Sequence, residues 1–367
     1  MLARLGTRHP LVIAAVIVTI AVTAATVAVT LAGFLADRWW VFDLLTSYRP
    51  QAALVLAAAV VALAVLRLWW LVPVAVIGLA LNVTQVAPVY TGHQPAARAD
   101  SPTLTVAHLN LQSNTADVPG MTQWLHGRPA DIVVVLSTQP DLAIALHDGV
   151  DGYRMIFPVV TVVAAPPAGP RHNKGTTTST TSTNSASSTT STTSASSTAT
   201  NLEFDPPSAE VVVFTDRPEV TASRPTTGGL PGSAVELRAS IGAQPVTLLA
   251  LHTQSPTTEV NHRRRDAQLD TVTTWLQQTP APAVAFGDFN VTAYSPNLRR
   301  LIERSGARSS QAGFGVQATW PVQFRPAGIG IDQSIYTGGL TAVARSRGPS
   351  FGSEHRVLIV TYAIAAG

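Results

Sequence analysis

A chain of 367 residues, 46% of them hydrophobic, is too long for one small domain and long enough to bury a sizeable core. The net charge of +3 is a mild surplus of arginine over this length, since Lys174 is the only lysine, and does not argue for a nucleic-acid binder, which more often shows many clustered basic runs. The absence of cysteine excludes a disulfide framework, a thiolate metal site and a cysteine nucleophile.

Residues 1–91 read as a transmembrane region. Leu11 to Leu35 is an uninterrupted apolar segment, long enough to cross a hydrocarbon layer of about 30 Å and longer than the apolar part of a signal peptide. Ala52 to Leu66 and Leu71 to Val89 follow, separated by Arg67, Trp69 and Trp70, with Trp39, Trp40 and Tyr48 in the preceding loop. Tryptophan and tyrosine at segment ends suit the bilayer interface. Extended to these anchors, three spanning helices are expected at about 11–35, 48–67 and 70–89. The lipid bilayer is then a partner and the cell (inner) membrane the location. Three crossings place everything after Val89 opposite the N-terminus, and the expected orientation is N-terminus inside, large domain extracytoplasmic. The tract Thr176 to Thr200, almost pure Ser, Thr, Ala and Asn, belongs to an expected disordered insertion at about 171–203, a composition typical of exposed stretches of exported proteins.

A polar linker, 92–102, leads into a domain at 103–367. Leu104–Asn110 predicts a strand, Thr115–His126 a short helix, and Asp131–Leu136 a β-branched strand buried on both faces. Val211–Phe214, Ala234–Ser240 and Val246–His252 read as strands, and Glu259–Gln277 as a helix. The basic run His262 to Arg265 reads as a solvated turn, with capture of an anionic substrate or of lipid headgroups as the alternative. The apolar run Ala283–Phe286 ends abruptly in Gly287-Asp288-Phe289-Asn290. Ser295-Pro296 is an N-cap signature opening a helix to about Ser305, whose Arg299, Arg300 and Arg304 look like its surface. The last strand, Val357–Tyr362, is preceded by Ser353-Glu354-His355. Strands interleaved with helices, without a Gly-rich nucleotide loop, indicate a layered α/β domain.

An Asp, an Asn and a His gathered from strand ends suit phosphoester hydrolysis. The carboxylate positions or deprotonates a water, the amide steadies phosphoryl oxygens, and the imidazole handles a proton or charge near neutral pH. Asp288 and Asn290, two apart on an extended segment, are expected to point to one side and share a phosphate.

The ordered motifs Asn110, Asp131 opening a hydrophobic strand, His252, Gly287-Asp288-Phe289-Asn290, Ile331-Asp332 and Ser353-Glu354-His355 resemble the endonuclease/exonuclease/phosphatase family over about Thr103 to Tyr362. With Ala293-Tyr294-Ser295-Pro296, Thr319-Trp320-Pro321 and three N-terminal spans, the chain is most similar to a membrane-anchored bacterial branch. The resemblance implies a two-sheet α/β sandwich, with Asp288 activating water, Asn290, Asn110 and His252 contacting the phosphoester substrate, and His355 stabilising the transition state with Asp332 as its partner. It implies Mg²⁺ or Mn²⁺ near Glu354 and Asn110. It makes a lipid-linked or envelope substrate plausible and DNA less so.

Four positions depart from the family pattern, the mildest being Gln333, where the family commonly has a histidine after Ile331-Asp332. Ser137, six residues after Asp131, stands where the family's main metal-ligating glutamate is expected; Gln112 stands where its nucleases often carry an acid; Glu354 replaces the usual Asp. Asp141 or the longer reach of Glu354 are the candidate replacements for the ligand. The alternative reading is a non-catalytic, membrane-anchored module that binds phosphorylated ligands or proteins.

Overall fold

The computed structural model describes residues 10–111, 116–138, 146, 150, 152–157, 159–163, 201–205 and 210–366. Gln112, Asp141 and the tract 176–200 lie outside the described residues.

The N-terminal region folds into α1 (Pro10–Ala32), α2 (Trp40–Thr46), α3 (Arg49–Val65), α4 (Val72–Val86) and α5 (Pro88–Thr91). Alanine and glycine bring the backbones of α1, α3 and α4 together: Ala52, Ala59, Ala75 and Gly78 are buried, and a Cβ on Gly78 would press on Leu56 and Val27 at 3.1 and 3.2 Å. A polar cluster ties the three helices. Asn82 Nδ2 donates to Thr30 Oγ1 (2.8 Å), and Arg49 Nη1 donates to the Thr30 carbonyl (3.1 Å) and Asn82 Oδ1 (3.4 Å). The outward faces are apolar, with Ile17, Val18, Leu54, Val61 and Ile77 exposed, and Trp39, Trp69, Trp70 and Tyr90 stand exposed at helix ends. Pro10–Leu35 and Val72–Thr91 are long and apolar enough to cross a membrane. The middle expected span, about 48–67, corresponds to α3, 17 residues, which is bent 66° from α2 where Tyr48 leaves helical geometry (φ −98°, ψ 16°).

The remainder is a sandwich of two six-stranded mixed sheets. The first runs β13 (Leu340–Arg347), β14 (Leu358–Ile364), β1 (Thr103–Asn110), β2 (Ile132–Leu136), β6 (Val211–Thr215) and β3 (Arg154–Phe157). The second runs β11 (Arg308–Ser309), β12 (Asp332–Tyr336), β10 (Ala283–Asp288), β9 (Gln244–His252), β8 (Val235–Ile241) and β7 (Thr221–Ser223). A hairpin of β4 (Val159–Val163) and β5 (Asn201–Asp205) stands apart. The inner core packs Val106, Val134, Leu136 and Val213 against Leu237, Leu248, Val284 and Phe286. Each sheet's outer face carries helices: α6 (Val118–His126) on the first, α7 (Glu259–Gln278) and α8 (Pro296–Ser305) on the second. Burial on both faces is why β2 and β10 read as continuous apolar runs rather than alternating ones.

Ser295 caps α8 through the Asn297 amide (3.1 Å), with Pro296 in the first turn. Residues 92–102 are docked along the domain edge: Gln94 Nε2 donates to the Ser309 and Ala312 carbonyls, and the Arg98 amide to Ile364. Within each sheet one central pair is parallel, β1 with β2 and β9 with β10. The carboxyl ends of those four strands deliver Asn110, Ser137, His252 and Asp288, while Asp332 opens β12 and His355 precedes β14.

Candidate active site

β10 delivers Asp288 through a constraint on the residue before it. Gly287 sits at φ 139°, and a Cβ there would lie 1.9 Å from the Leu251 carbonyl, so this penultimate strand position requires glycine. The sheet register then sets Asp288 beside His252 on β9 and Asp332 on β12. Asn110, at the end of β1 in the other sheet, crosses the sandwich: its Nδ2 donates to Asp288 Oδ2 at 2.8 Å and lies 3.4 Å from His252 Nε2. His252 Nε2 is 3.6 Å from the same oxygen, and His355 Nε2 is 3.7 Å from it. Ser353 pins the last motif to β1 by donating its hydroxyl to the Asn110 carbonyl (2.6 Å) while accepting from the His355 amide (2.9 Å).

Behind His355 lies Asp332, fully buried, with Oδ2 3.1 Å from His355 Nδ1 and Oδ1 3.4 Å from His108 Nε2. Burial alone pushes the His355 ring toward its neutral form, but the carboxylates of Asp332, Asp288 and Glu354 outweigh it and raise its pKa to about 9. Burial likewise raises the Asp332 carboxyl, and the charge of His355 with hydrogen bonds from both histidines holds it well below the usual range. At neutral pH the pair is imidazolium and carboxylate, with the Nε2 donor directed at Asp288.

Asp288, His355, Asp332, His252 and Asn110 therefore converge. Asn290 is brought to the site by a different route from the one expected. The strand ends at Asp288, and Asn290 is left-handed (φ 50°), not extended. Its amide donates to Asp288 Oδ1 (2.9 Å) and its Nδ2 to the Thr253 carbonyl (2.9 Å), so it does not share one face of a strand with Asp288. Glu354 is exposed, accepting from Trp320 Nε1 at 3.2 Å. Ser137, also left-handed (φ 56°), sets its hydroxyl 3.0 Å from His252 Nδ1. The hydroxyl thus supports a site histidine from the position where a carboxylate ligand was expected.

The donor atoms of Asp288, Asp332 and His355 lie within 4.8 Å of one another. An imidazolium locked to its own carboxylate is a poor ligand, which leaves Asp288 as the available anion of that group. Asn110 Oδ1 is buried without a hydrogen-bond partner. A carboxylate beside an unpartnered amide oxygen fits a hard, oxygen-preferring divalent cation.

The site opens into a cleft of about 420 Å³ lined by His252, Asp288, Asn290, Glu354 and His355, and by Leu44 and Tyr48 from the N-terminal region with Trp320, Ile329 and Ile331. The N-terminal helical region thus supplies part of the cleft wall.

Sequence reasoning missed His108, although its signal was present: in β1 it alternates with Asn110 and so faces the same side. The basic run was misread at two of its four residues, while Arg263 and Arg264 are exposed as expected. His262 and Arg265 are buried against Asp43 of α2, which is itself 2% exposed. Burying two basic residues required a carboxylate 219 and 222 residues away in sequence, which no local pattern reveals. Arg300 and Arg304 are surface residues as expected, and Arg300 pairs with Asp37 at 2.8 Å.

The sequence model of the Endonuclease/Exonuclease/phosphatase family matches residues 107–355. No curated protein matches the chain. Among solved structures, the chain is similar to an endonuclease/exonuclease/phosphatase from Beutenbergia cavernae (17% identity, 72% of each chain covered, TM-score 0.46). It is also similar to one from Bacteroides vulgatus (14% identity, covering 71% of this chain and 99% of that one, TM-score 0.46). A third is D. rerio TDP2 complexed with a single-strand DNA product (12% identity, covering 71% and 98%, TM-score 0.47).

Proposed function

The chain belongs to the Endonuclease/Exonuclease/phosphatase family, and from that premise we propose that it is a membrane-anchored hydrolase of phosphoesters working with a divalent cation. One observation carries the reading: three groups from both sheets, Asn110 Nδ2, His252 Nε2 and His355 Nε2, stand 2.8, 3.6 and 3.7 Å from Asp288 Oδ2 at the floor of a cleft. Asn110 and His355 orient the Asp288 carboxylate, so that it takes a proton from an attacking water. The His355 imidazolium, held cationic by Asp332, stabilises charge gathering on the phosphoryl oxygens and is placed to protonate the leaving oxygen. His252 and Asn290 contact those oxygens from the opposite wall. When bound, Mg²⁺ or Mn²⁺ held by Asp288, Asn110 and Glu354 would neutralise phosphoryl charge.

The three-helix region is read as spanning the cell membrane, with the sandwich on the extracytoplasmic side as a domain of its own at 103–367. Its apolar outer faces and the tryptophans at helix ends support this. A lipid-linked or envelope phosphoester is the favoured substrate, because Leu44 and Tyr48 of the membrane-proximal segment, with Ile329 and Ile331, extend apolar surface from the phosphoryl position. DNA is disfavoured by the lack of an aromatic and basic strip.

The Ser137 hydroxyl bonded to His252 favours a second reading, a phospholigand-binding module without turnover. Full-length protein in detergent, given bis(p-nitrophenyl) phosphate and Mn²⁺, separates the two. Hydrolysis that falls about 10³-fold or more in Asp288→Ala supports the enzyme. Phosphate binding without hydrolysis in the unaltered protein would establish the binder.

A further inference from the structure

α2 is short, yet its Asp43 is among the most heavily bonded side chains in the molecule. Asp43 Oδ1 accepts from Ser295 Oγ (2.6 Å), while Oδ2 accepts from Arg265 Nη2 (2.7 Å) and Asn297 Nδ2 (3.3 Å) and lies 2.9 Å from His262 Nε2. Arg265, 1% exposed, divides its guanidinium three ways: Nη2 to Asp43, Nε to Asp266 Oδ1 (2.7 Å) and Nη1 to the carbonyl of Asn290 (2.9 Å). A planar fork of fixed geometry thus joins α2 to the turn that follows β10. That turn carries a non-glycine residue in the left-handed region, a conformation that costs about 1 kcal/mol and persists only where its surroundings hold it.

We infer that Asp43 and Arg265 are positioning residues of the active site: the membrane-proximal helix holds the Asp288–Asn290 turn in working geometry through Asp43, Arg265 and the Asn290 carbonyl. The role of Asn290 at the phosphoryl group rests on the function proposed above; the mechanical link does not. Without the Asp43 carboxylate, the buried guanidinium keeps Asp266 as its one anionic partner and its Nη2 loses a charge-assisted bond, so the fork is free to swing off the carbonyl. The consequence is local, at residues 288–291, whereas Asp37 with Arg300 joins the same two parts of the chain through an exposed pair that does not reach the turn.

The test uses the full-length protein in detergent micelles, comparing Asp43→Asn, Arg265→Lys, their combination and Asp37→Asn as the control. Two readouts are taken: amide hydrogen exchange of the peptide spanning 287–294, where the Phe289 amide is bonded to the Ile331 carbonyl and the Asn290 amide to Asp288 Oδ1, and hydrolysis of bis(p-nitrophenyl) phosphate with Mn²⁺. Asp43→Asn is expected to speed exchange in that peptide about tenfold and lower kcat about tenfold with KM within about threefold, while Asp37→Asn changes neither. In the Arg265→Lys background, where the lysine cannot span both acceptors, adding Asp43→Asn is expected to change either readout less than about twofold. The inference is overturned if Asp43→Asn leaves exchange as in the unaltered protein, if Asp37→Asn reproduces its effect, or if the two changes simply add. Should Asp43→Asn not yield folded protein, Arg265→Lys against Asp37→Asn carries the same comparison. Absence of turnover in the unaltered protein would sink the hydrolase and leave the exchange result to decide the link.

Discussion

Replacing His355 by glutamine should remove a specific, pH-dependent share of stability. In the folded protein the ring's pKa is raised from 6.5 to about 9, burial opposing and the Asp332, Asp288 and Glu354 carboxylates prevailing. The unfolded chain returns the ring to its ordinary value. A group whose folded pKa is raised contributes stability that is complete below about pH 6.5, declines as pH rises and is gone above about pH 9. At roughly 1.4 kcal/mol per unit, the difference amounts to about 3 kcal/mol, held jointly by His355 and Asp332. For a domain of this size that corresponds to a fall in Tm of roughly 5–10 °C across the window. The assay is thermal unfolding in detergent with a chelator present, from pH 6 to 9.5, for the unaltered protein and His355→Gln. Subtracting the two curves isolates the pair, since glutamine keeps a neutral donor for Asp332 and has no proton to lose. Parallel curves, or a difference that grows with rising pH, would refute the assignment of a buried imidazolium.

Gly287→Ala should cost several kcal/mol and reduce the yield of folded protein, because its Cβ would overlap the Leu251 carbonyl at a φ that alanine avoids; a Tm within about 2 °C of the unaltered protein would contradict that geometry. Ser137→Glu should tighten Mn²⁺ binding about tenfold or more by calorimetry, at a stability cost of about 1 kcal/mol for releasing the His252 ring, and an unchanged affinity would place the ion away from that strand end.

The fold was legible where burial is two-sided. β2 and β10 announced themselves as apolar runs, and Ser295-Pro296 marked the start of α8 because capping is a local matter. Strands such as β13 were not read: its Leu-Thr-Ala-Val-Ala-Arg sequence contains a β-bulge between Ala342 and Ala344 that breaks the alternation. In the site, Asp288 and His355 stood out at strand ends, whereas Asn110, His252 and Asp332 were singled out by the order of motifs that resembles the family. Asn290 lines the cleft but was given the wrong backbone, since nothing in Gly-Asp-Phe-Asn distinguishes a continuing strand from a left-handed turn. The contribution of α2 was illegible. An aspartate between two apolar segments looks like interfacial loop until its partners at 262, 265, 295 and 297 fold against it.

Because Leu44, Ser47 and Tyr48 form one side of the cleft and Asp43 answers the charge of Arg265, the boundary between the N-terminal helices and the sandwich passes through the proposed site itself. An excised fragment beginning near residue 96 would expose that side to solvent and strip a deeply placed guanidinium of one of its two counter-charges. Kinetics recorded on such a fragment would describe a different, looser protein.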